Sequence, residues 1–261
     1  MQISDARIAN VFHEAEVEGT VQILALASGQ HYTYNPQRAS TRFVPASSFK
    51  VINTLIALEC SAISSVDETI RWDGSVNDRF PAWNTDQTLK SAFQYSCVWF
   101  YQELARRVGS DNYRQYLKTC SFGELSSNFE ISTFWLDGSL TVSAQEQVNF
   151  LAGVDRRELP FSARSYDALR ALMLETDSSA YALRGKTGWA MRVSPQVGWY
   201  VGSVETRVDK WIFATNLRIE SEKQLPLRQL VTLRSLQAIG AISAISPAHL
   251  QLNLSLPKET K

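Results

Sequence analysis

Apolar residues recur near the helical period over residues 3–17 (Ile3, Ala6, Ile8, Val11, Phe12, Ala15), which predicts a leading helix. The pattern then changes. Residues 19–26 and 31–34, joined through Gly29-Gln30, predict a hairpin of strands. Pro45 before an apolar run marks a helix entrance near Ala46. Residues from about 60 to 175 read as mainly helical, with candidates at 89–93, 98–108, 112–117, 144–151 and 163–174. Ser143 followed by Glu146 is a capping-box pattern. Strands return at 180–186, 196–205 and 211–216, where aromatic and β-branched residues concentrate. A last helix is predicted over 226–239, closed by Gly240.

Strands at both ends with helices between them predict an α/β (α+β) chain. One sheet is assembled from the two termini, and a helical insertion forms a second lobe. The expected division is a single domain over 1–261, with a sheet lobe of about 1–46 and 176–261 and a helical lobe of about 47–175. A cleft between lobes is where a pocket is expected.

Composition narrows the class. Hydrophobic residues are 44% and charged residues 20%, the profile of an ordinary globular protein. Lys+Arg and Asp+Glu balance at 26 each, which argues against nucleic acid or an acidic membrane surface as partner. No apolar run approaches the roughly 18–20 residues of a membrane span. Met1-Gln2-Ile3-Ser4-Asp5 shows no signal-peptide pattern, so a cytosolic protein or a mature chain with an added Met is expected. Cys60, Cys97 and Cys120 lack paired spacing and read as buried thiols, with a disulfide between two of them not readable from spacing.

Three short motifs carry the chemistry. Ser47-Ser48-Phe49-Lys50 sets a serine and a lysine three apart, which on a helix puts them on one face about 5–6 Å apart at Cβ. A serine needs a base to become a nucleophile, and a lysine serves only when burial keeps it neutral. Ser96-Cys97-Val98 places a hydroxyl in an apolar run; as a buried group it needs a partner, and Lys50 is the expected one. Lys186-Thr187-Gly188 is read as the end of a strand. Its Gly188 lets substrate approach, and Lys186 and Thr187 suit a carboxylate. The backbone N–H groups of Ser47 and Trp189 are a candidate oxyanion hole.

Each motif alone has an ordinary reading: a surface pair, a capping serine, a strand-end turn. Ser255-Leu256-Pro257-Lys258 repeats the first pattern, but Pro257 argues against a helix interior. Ser64-Ser65-Val66, Ser75-Val76-Asn77 and Ser126-Ser127-Asn128 repeat the second type. Order and spacing favour Ser47, Ser96 and Lys186 together. His13, His31 and His249 lie far from these serines in sequence and are expected to be structural or solvent-facing, and no ligand cluster suggests a metal.

With these motifs in place, the chain resembles the class D serine β-lactamases, the oxacillinases, from about 20 to 239. The matching segments are Pro45-Ala46-Ser47-Ser48-Phe49-Lys50, Trp83-Asn84, Tyr95-Ser96-Cys97-Val98, Phe134-Trp135-Leu136-Asp137-Gly138 and Ser143-Ala144-Gln145-Glu146-Gln147. Gly185-Lys186-Thr187-Gly188-Trp189, Pro195-Gln196-Val197-Gly198-Trp199 and Leu225-Pro226-Leu227-Arg228 complete the set.

The resemblance implies a central antiparallel sheet flanked by helices, the β-lactamase/penicillin-binding transpeptidase-like fold, and hydrolysis of penicillins and related β-lactams through a serine acyl-enzyme. It implies Ser47 as nucleophile and Lys50 N-carboxylated by CO2 or bicarbonate as general base, steadied by Trp135. Ser96 is the implied proton relay, and Val98 and Leu136 the implied controls on water. Lys186, Thr187, Gly188, Trp189 and Arg228 are the implied substrate-binding set. No other cofactor or metal is implied. The resemblance also implies periplasmic residence and a monomer or homodimer.

Phe122-Gly123-Glu124 departs from the family's usual Tyr-Gly-Asn or Phe-Gly-Asn, which would put a carboxylate near the cleft; Cys97 is a second unusual residue. Candidate determinants of substrate range are residues 189–193 and the segment near Glu124. Two other functions share the motifs: a β-lactam sensor domain that acylates without turnover, and a penicillin-binding transpeptidase or carboxypeptidase. The latter prefers Ser-x-Asn where this chain has Ser96-Cys97-Val98.

Overall fold

The computed structural model describes residues 4–245. His249 and the tail pair Ser255 and Lys258 lie outside them. Helix α1 (Ala6–Glu14) opens the described chain, capped by the Asp5 carboxylate accepting from Arg7 N. Strands β1 (Gly19–Ala25) and β2 (His31–Tyr34) follow as the expected hairpin, then a short helix α2 (Pro36–Ser40). A 3₁₀ turn (Ala46–Phe49) runs directly into α3 (Lys50–Glu59).

The middle of the chain supplies α4 (Leu89–Gln94), α5 (Val98–Val108), α6 (Ser110–Thr119), the single turn α7 (Phe134–Asp137), α8 (Ala144–Arg156) and α9 (Ala163–Leu172). Two small strand pairs lie among them, β3 (Thr69–Ile70) with β4 (Gln87–Thr88) and β5 (Glu124–Leu125) with β6 (Leu140–Thr141). The last part returns to the sheet with β7 (Leu174–Asp177), β8 (Ala182–Ala190), β9 (Gln196–Glu205) and β10 (Lys210–Ile219), and ends in α10 (Leu227–Ala238).

The main sheet has the order β2-β1-β10-β9-β8-β7, antiparallel throughout. The first strand thus pairs with the last, so the sheet is built from both parts of the chain, as the sequence pattern predicts. One face packs α1 and α10 around Ile8, Phe12, Val21, Tyr200 and Phe213. The other packs the helices, α3 and α8 among them, around Phe49, Leu55, Val148, Trp199 and Val201. With both faces covered, β1 is buried at every position, and its polar residues Thr20 and Gln22 are satisfied by Tyr34 O and the Thr33 hydroxyl.

Several boundaries differ from the sequence reading. The Ser143–Glu146 capping box forms as predicted, but α8 continues to Arg156. Helix α9 stops at Leu172, because Leu174–Asp177 pairs as an edge strand with Ala182–Arg184. The strand predicted over 180–186 runs instead from Ala182 to Ala190. Pairing of Gly188, Trp189 and Ala190 with Trp199, Gly198 and Val197 of β9 overrides the weak strand propensity of Gly and Ala. Lys186-Thr187-Gly188 therefore lies inside a strand and not at its end.

Candidate active site

Ser47 sits in the 3₁₀ turn one step before α3, with Lys50 as the first residue of the helix. The tighter 3₁₀ turn brings residues at i and i+3 into line. Lys50 Nζ lies 3.0 Å from Ser47 Oγ, within hydrogen-bond distance. Lys50 is fully buried, with its Nζ 4.8 Å from the ring of Tyr101. Burial, with the Lys186 cation adding to it, holds its amine well below the usual lysine range. A neutral amine beside a serine hydroxyl is the pair that nucleophilic catalysis without histidine requires.

The turn is held from three sides. Ala46 takes a left-handed backbone (φ 47°) immediately before Ser47, a conformation that persists only where surrounding contacts impose it. Ser48 Oγ donates to Pro45 O at 2.8 Å and receives Gln147 Nε2 from α8 at 2.8 Å. Trp199 Nε1 donates to Val44 O at 2.9 Å. On the third side β8 packs so closely that a Cβ at Gly188 would stand 2.9 Å from Ser48 N and 3.0 Å from Pro45 O. Glycine is needed there for close approach of two backbones.

Ser96 also has a left-handed backbone (φ 54°), in the turn between α4 and α5. Its partner differs from the expected one: Lys186 Nζ, not Lys50, donates to Ser96 Oγ at 2.6 Å. The strand register explains this, since Lys186 pairs with Val201 and so points to the face of the sheet that packs α3 and α8. Lys186 also donates to Thr187 O at 3.1 Å. Burial pulls it down to about 7, with Glu175 opposing and Arg228 assisting. Arg228 Nη1 reaches across from α10 to Gly188 O at 2.7 Å, and its Nε to Leu225 O at 2.6 Å. Burial pulls Arg228 down to about 10.

Ser47, Ser96, Val98, Leu136, Thr187, Gly188, Trp189 and Arg228 line one cavity of about 410 Å³. Its lining includes Arg79, Arg192 and Arg228 and no Asp or Glu, so it suits an anionic ligand. Lys186 lines a neighbouring, larger cavity of about 940 Å³ that shares Thr187 and Arg228 with the first. Trp135 lies beneath, fully buried and stacked on Phe49 at 5.5 Å, with an indole N–H that has no acceptor.

The penicillin-binding protein transpeptidase domain family matches residues 17–230. Among curated relatives, the β-lactamase OXA-48 of Klebsiella pneumoniae is 36% identical over 85% of this chain and 83% of its own length. OXA-2 of Salmonella typhimurium is 34% identical over 90% and 84%. A solved class D β-lactamase, YbXI from Nostoc, superposes with a TM-score of 0.87 at 38% identity, covering 89% of this chain and 98% of that one. FUS-1 (OXA-85), a class D β-lactamase from Fusobacterium nucleatum subsp. polymorphum, has a TM-score of 0.87 at 33% identity, over 91% and 99%. The chain belongs to the class D β-lactamases.

Against this family's pattern, two departures noted in the sequence resolve differently. Glu124 does not reach the Ser47 cavity. It is exposed on β5 and pairs at 2.5 Å with Arg42, which also holds Glu146 of the α8 capping box at 2.6 Å. The carboxylate expected near the cleft is thus a surface ion pair. Cys97 is buried, and burial pushes its thiol up to about 11, which suppresses thiolate chemistry. Cys60, Cys97 and Cys120 are all free thiols.

The sequence motifs miss one wall of this class D cleft. Asn77, Arg79 and Phe80 line it from the irregular segment between β3 and β4. Phe80 stacks on Trp83 at 4.3 Å, and Arg79 lies over Trp189 at 5.0 Å while pairing with Glu222. The usable signal was Asn84, whose amide holds the loop through Asn77 N at 2.8 Å and Asn77 O at 3.1 Å. His13 and His31 are exposed and remote from this cavity's lining. Among the described residues no group of His, Cys, Asp and Glu is placed to hold a metal, and no helix is long and apolar enough to cross a membrane.

Proposed function

We propose that the protein hydrolyses β-lactams through an acyl-enzyme on Ser47, with Lys50 as general base and Ser96 as proton relay. The observation that carries this is the 3.0 Å approach of a buried Lys50 amine to Ser47 Oγ. Lys50 takes the hydroxyl proton as Ser47 Oγ attacks the lactam carbonyl carbon. The backbone N–H groups of Ser47 and Trp189 receive the oxyanion. The C–N bond breaks, and Ser96 passes a proton to the leaving nitrogen, drawing on the Lys186 ammonium at 2.6 Å. Lys50 first gives up the Ser47 proton, which restores the one Lys186 and Ser96 supplied; it then deprotonates a water whose oxygen attacks the ester carbonyl carbon, and returns that proton to Ser47 Oγ as the ester C–O bond breaks. Lys186, Thr187 and Arg228 orient the substrate carboxylate, and Gly188 and Trp189 receive the remainder along the strand.

The base fits N-carboxylation by CO2. The amine is neutral and enclosed, as addition of CO2 requires, and the buried Trp135 indole N–H lacks an acceptor that a carboxylated Lys50 would provide. Trp135 would hold the group and Val98 and Leu136 would control water near it, and the group would supply an anionic base at neutral pH. The relatives described above are all named β-lactamases, so the sensor reading gains nothing from them. Residence in the periplasm follows from this function, since β-lactams act on wall synthesis outside the cytoplasm.

The test is hydrolysis of a chromogenic cephalosporin followed past one equivalent, with and without bicarbonate. Sustained turnover that rises with bicarbonate is expected. A burst that stops at one equivalent would instead indicate a stable acyl-enzyme.

A further inference from the structure

Behind Lys186, away from the nucleophile, stands a pair of residues that belongs to none of the sequence motifs. Tyr200 of β9 is fully buried and donates its hydroxyl to Glu175 Oε2 of β7 at 2.8 Å. Burial, with Glu175 beside it, pushes the Tyr200 phenol well up, so it stays a donor. Both groups lie over Gly185. A Cβ there would stand 2.5 Å from the Tyr200 ring, 2.6 Å from Glu175 Oε1 and 2.6 Å from the Tyr200 hydroxyl. The residue before Lys186 is therefore glycine because the carboxylate and phenol fill the space of a side chain. Glu175, Gly185, Lys186, Thr187 and Arg228 all line the same 940 Å³ cavity, which adjoins the Ser47 cavity at Thr187 and Arg228.

We propose that Glu175, fixed by Tyr200, is a positioning residue that keeps Lys186 in its ammonium form, as the substrate carboxylate and Ser96 require. This deepens the acyl-enzyme reading above and rests on it for its functional consequence. The charges around Lys186 show why such a group is needed. Arg228 of α10 opposes a further positive charge there, while Lys50 of α3 is itself held neutral by burial and by Lys186. Across the cavity lie Lys90 of α4 and Arg164 of α9, with Asp67 from the preceding loop. Ser96 and the Phe93 ring, 5.5 Å from Nζ, contribute no anion. Glu175 is the carboxylate that raises Lys186 against burial and Arg228. Because a charged Lys186 helps keep Lys50 neutral, the same carboxylate also supports the base from a distance.

The experiment compares wild type with Glu175→Gln, which keeps the shape and removes the charge. Lysine side chains labelled with ¹³C at Cε are titrated by NMR, the Lys186 signal being assigned by its loss in Lys186→Arg. In parallel, the rate of Ser47 acylation by a fluorescent penicillin is measured against pH. Removing the carboxylate is expected to move the Lys186 titration, and the alkaline limb of acylation with it, to lower pH by on the order of half a unit or more. Glu175→Asp is expected to restore much of the shift. Should Glu175→Gln not fold, Tyr200→Phe removes the tether, together with the phenol's contact to Gln229, and is expected to move both in the same direction. An unmoved Lys186 titration, or an acylation rate lowered equally at all pH values, would overturn the proposal. Wild type that titrates as expected but takes no penicillin label would leave the Glu175–Lys186 coupling standing and remove the acyl-enzyme reading instead.

Discussion

Gln147 Nε2 donates to Ser48 Oγ at 2.8 Å, joining α8 to the nucleophile turn between two side chains that are both buried. Ser48 in turn donates to Pro45 O, so one hydroxyl closes the turn and ties it to the helix behind. Gln147→Leu breaks this join and leaves a buried hydroxyl short of a donor, at a cost of about 1–3 kcal/mol. Urea unfolding should show that loss. Turnover should fall as well, because Ser47 is placed by the turn. Unchanged stability would mean that the bond adds nothing to the fold.

Gly188→Ala tests the close approach of β8 to the same turn. The added methyl would meet Ser48 N at 2.9 Å and Pro45 O at 3.0 Å, both backbone atoms that cannot rotate away. The strand must then move back from Ser47, and misplacement by a fraction of an ångström disturbs attack geometry. A loss of kcat/KM on the order of 100-fold is expected, out of proportion to any change in Tm. A variant with near-normal kcat/KM would show that the strand does not position the substrate at the nucleophile.

The contrast between what the sequence announces and what it hides follows from contact range. Ser47 and Lys50 were legible because one helical turn brings them together, and Lys186-Thr187-Gly188 because its parts are contiguous. The joining of first and last strands was legible from apolar runs at both ends. Ser96 is legible as a hydroxyl in an apolar run, but the sequence does not show that its partner is Lys186 and not Lys50. Lys186 is 90 positions away, and only the register of β8 against β9 aims it at Ser96. Arg79 and Phe80 carry no periodic signal, since the segment is held by the Asn77–Asn84 bonds rather than by regular structure. Glu124 misled for the opposite reason. Its neighbours in sequence suggest the cleft, whereas its salt bridge to Arg42 draws it to the surface.

Arg228 is braced rather than mobile, with Nη1 on Gly188 O and Nε on Leu225 O. On the proposed role, a guanidinium already fixed at two of its three nitrogens offers its remaining donors to a substrate carboxylate in the ground state and the transition state alike. Arg228→Ala should therefore raise KM by about 10-fold or more with a smaller change in kcat. Steady-state kinetics on benzylpenicillin would check this. An unchanged KM would remove Arg228 from the carboxylate site. Lysine at this position should not restore the wild-type value, because a single ammonium cannot make both carbonyl bonds and still face the substrate.

Lys50 is expected to lower the stability of the fold while making the chemistry possible. Burial keeps its amine neutral when folded, whereas the unfolded chain carries an ammonium up to about pH 10.4. From about pH 10.4 downward the unfolded state binds the extra proton, so the penalty grows as the pH falls to the depressed folded value, stays in full below it, and disappears above about pH 10.4. Lys50→Met fills the same space without that cost. In CO2-free buffer at pH 7 it should be more stable than wild type by on the order of 1 kcal/mol or more, with the gap closing as the pH approaches 10. It should also fail to turn over β-lactams, since no base remains beside Ser47. Added bicarbonate should narrow the gap by stabilising wild type alone, because a ligand that binds only the folded protein shifts unfolding by mass action. Urea denaturation from pH 6 to 10, with and without bicarbonate, measures the pH dependence and the bicarbonate effect, and a turnover assay measures the loss of activity. A Lys50→Met variant less stable than wild type at pH 7 without CO2 would mean that Lys50 is not held neutral. Normal turnover by that variant would mean that the base lies elsewhere.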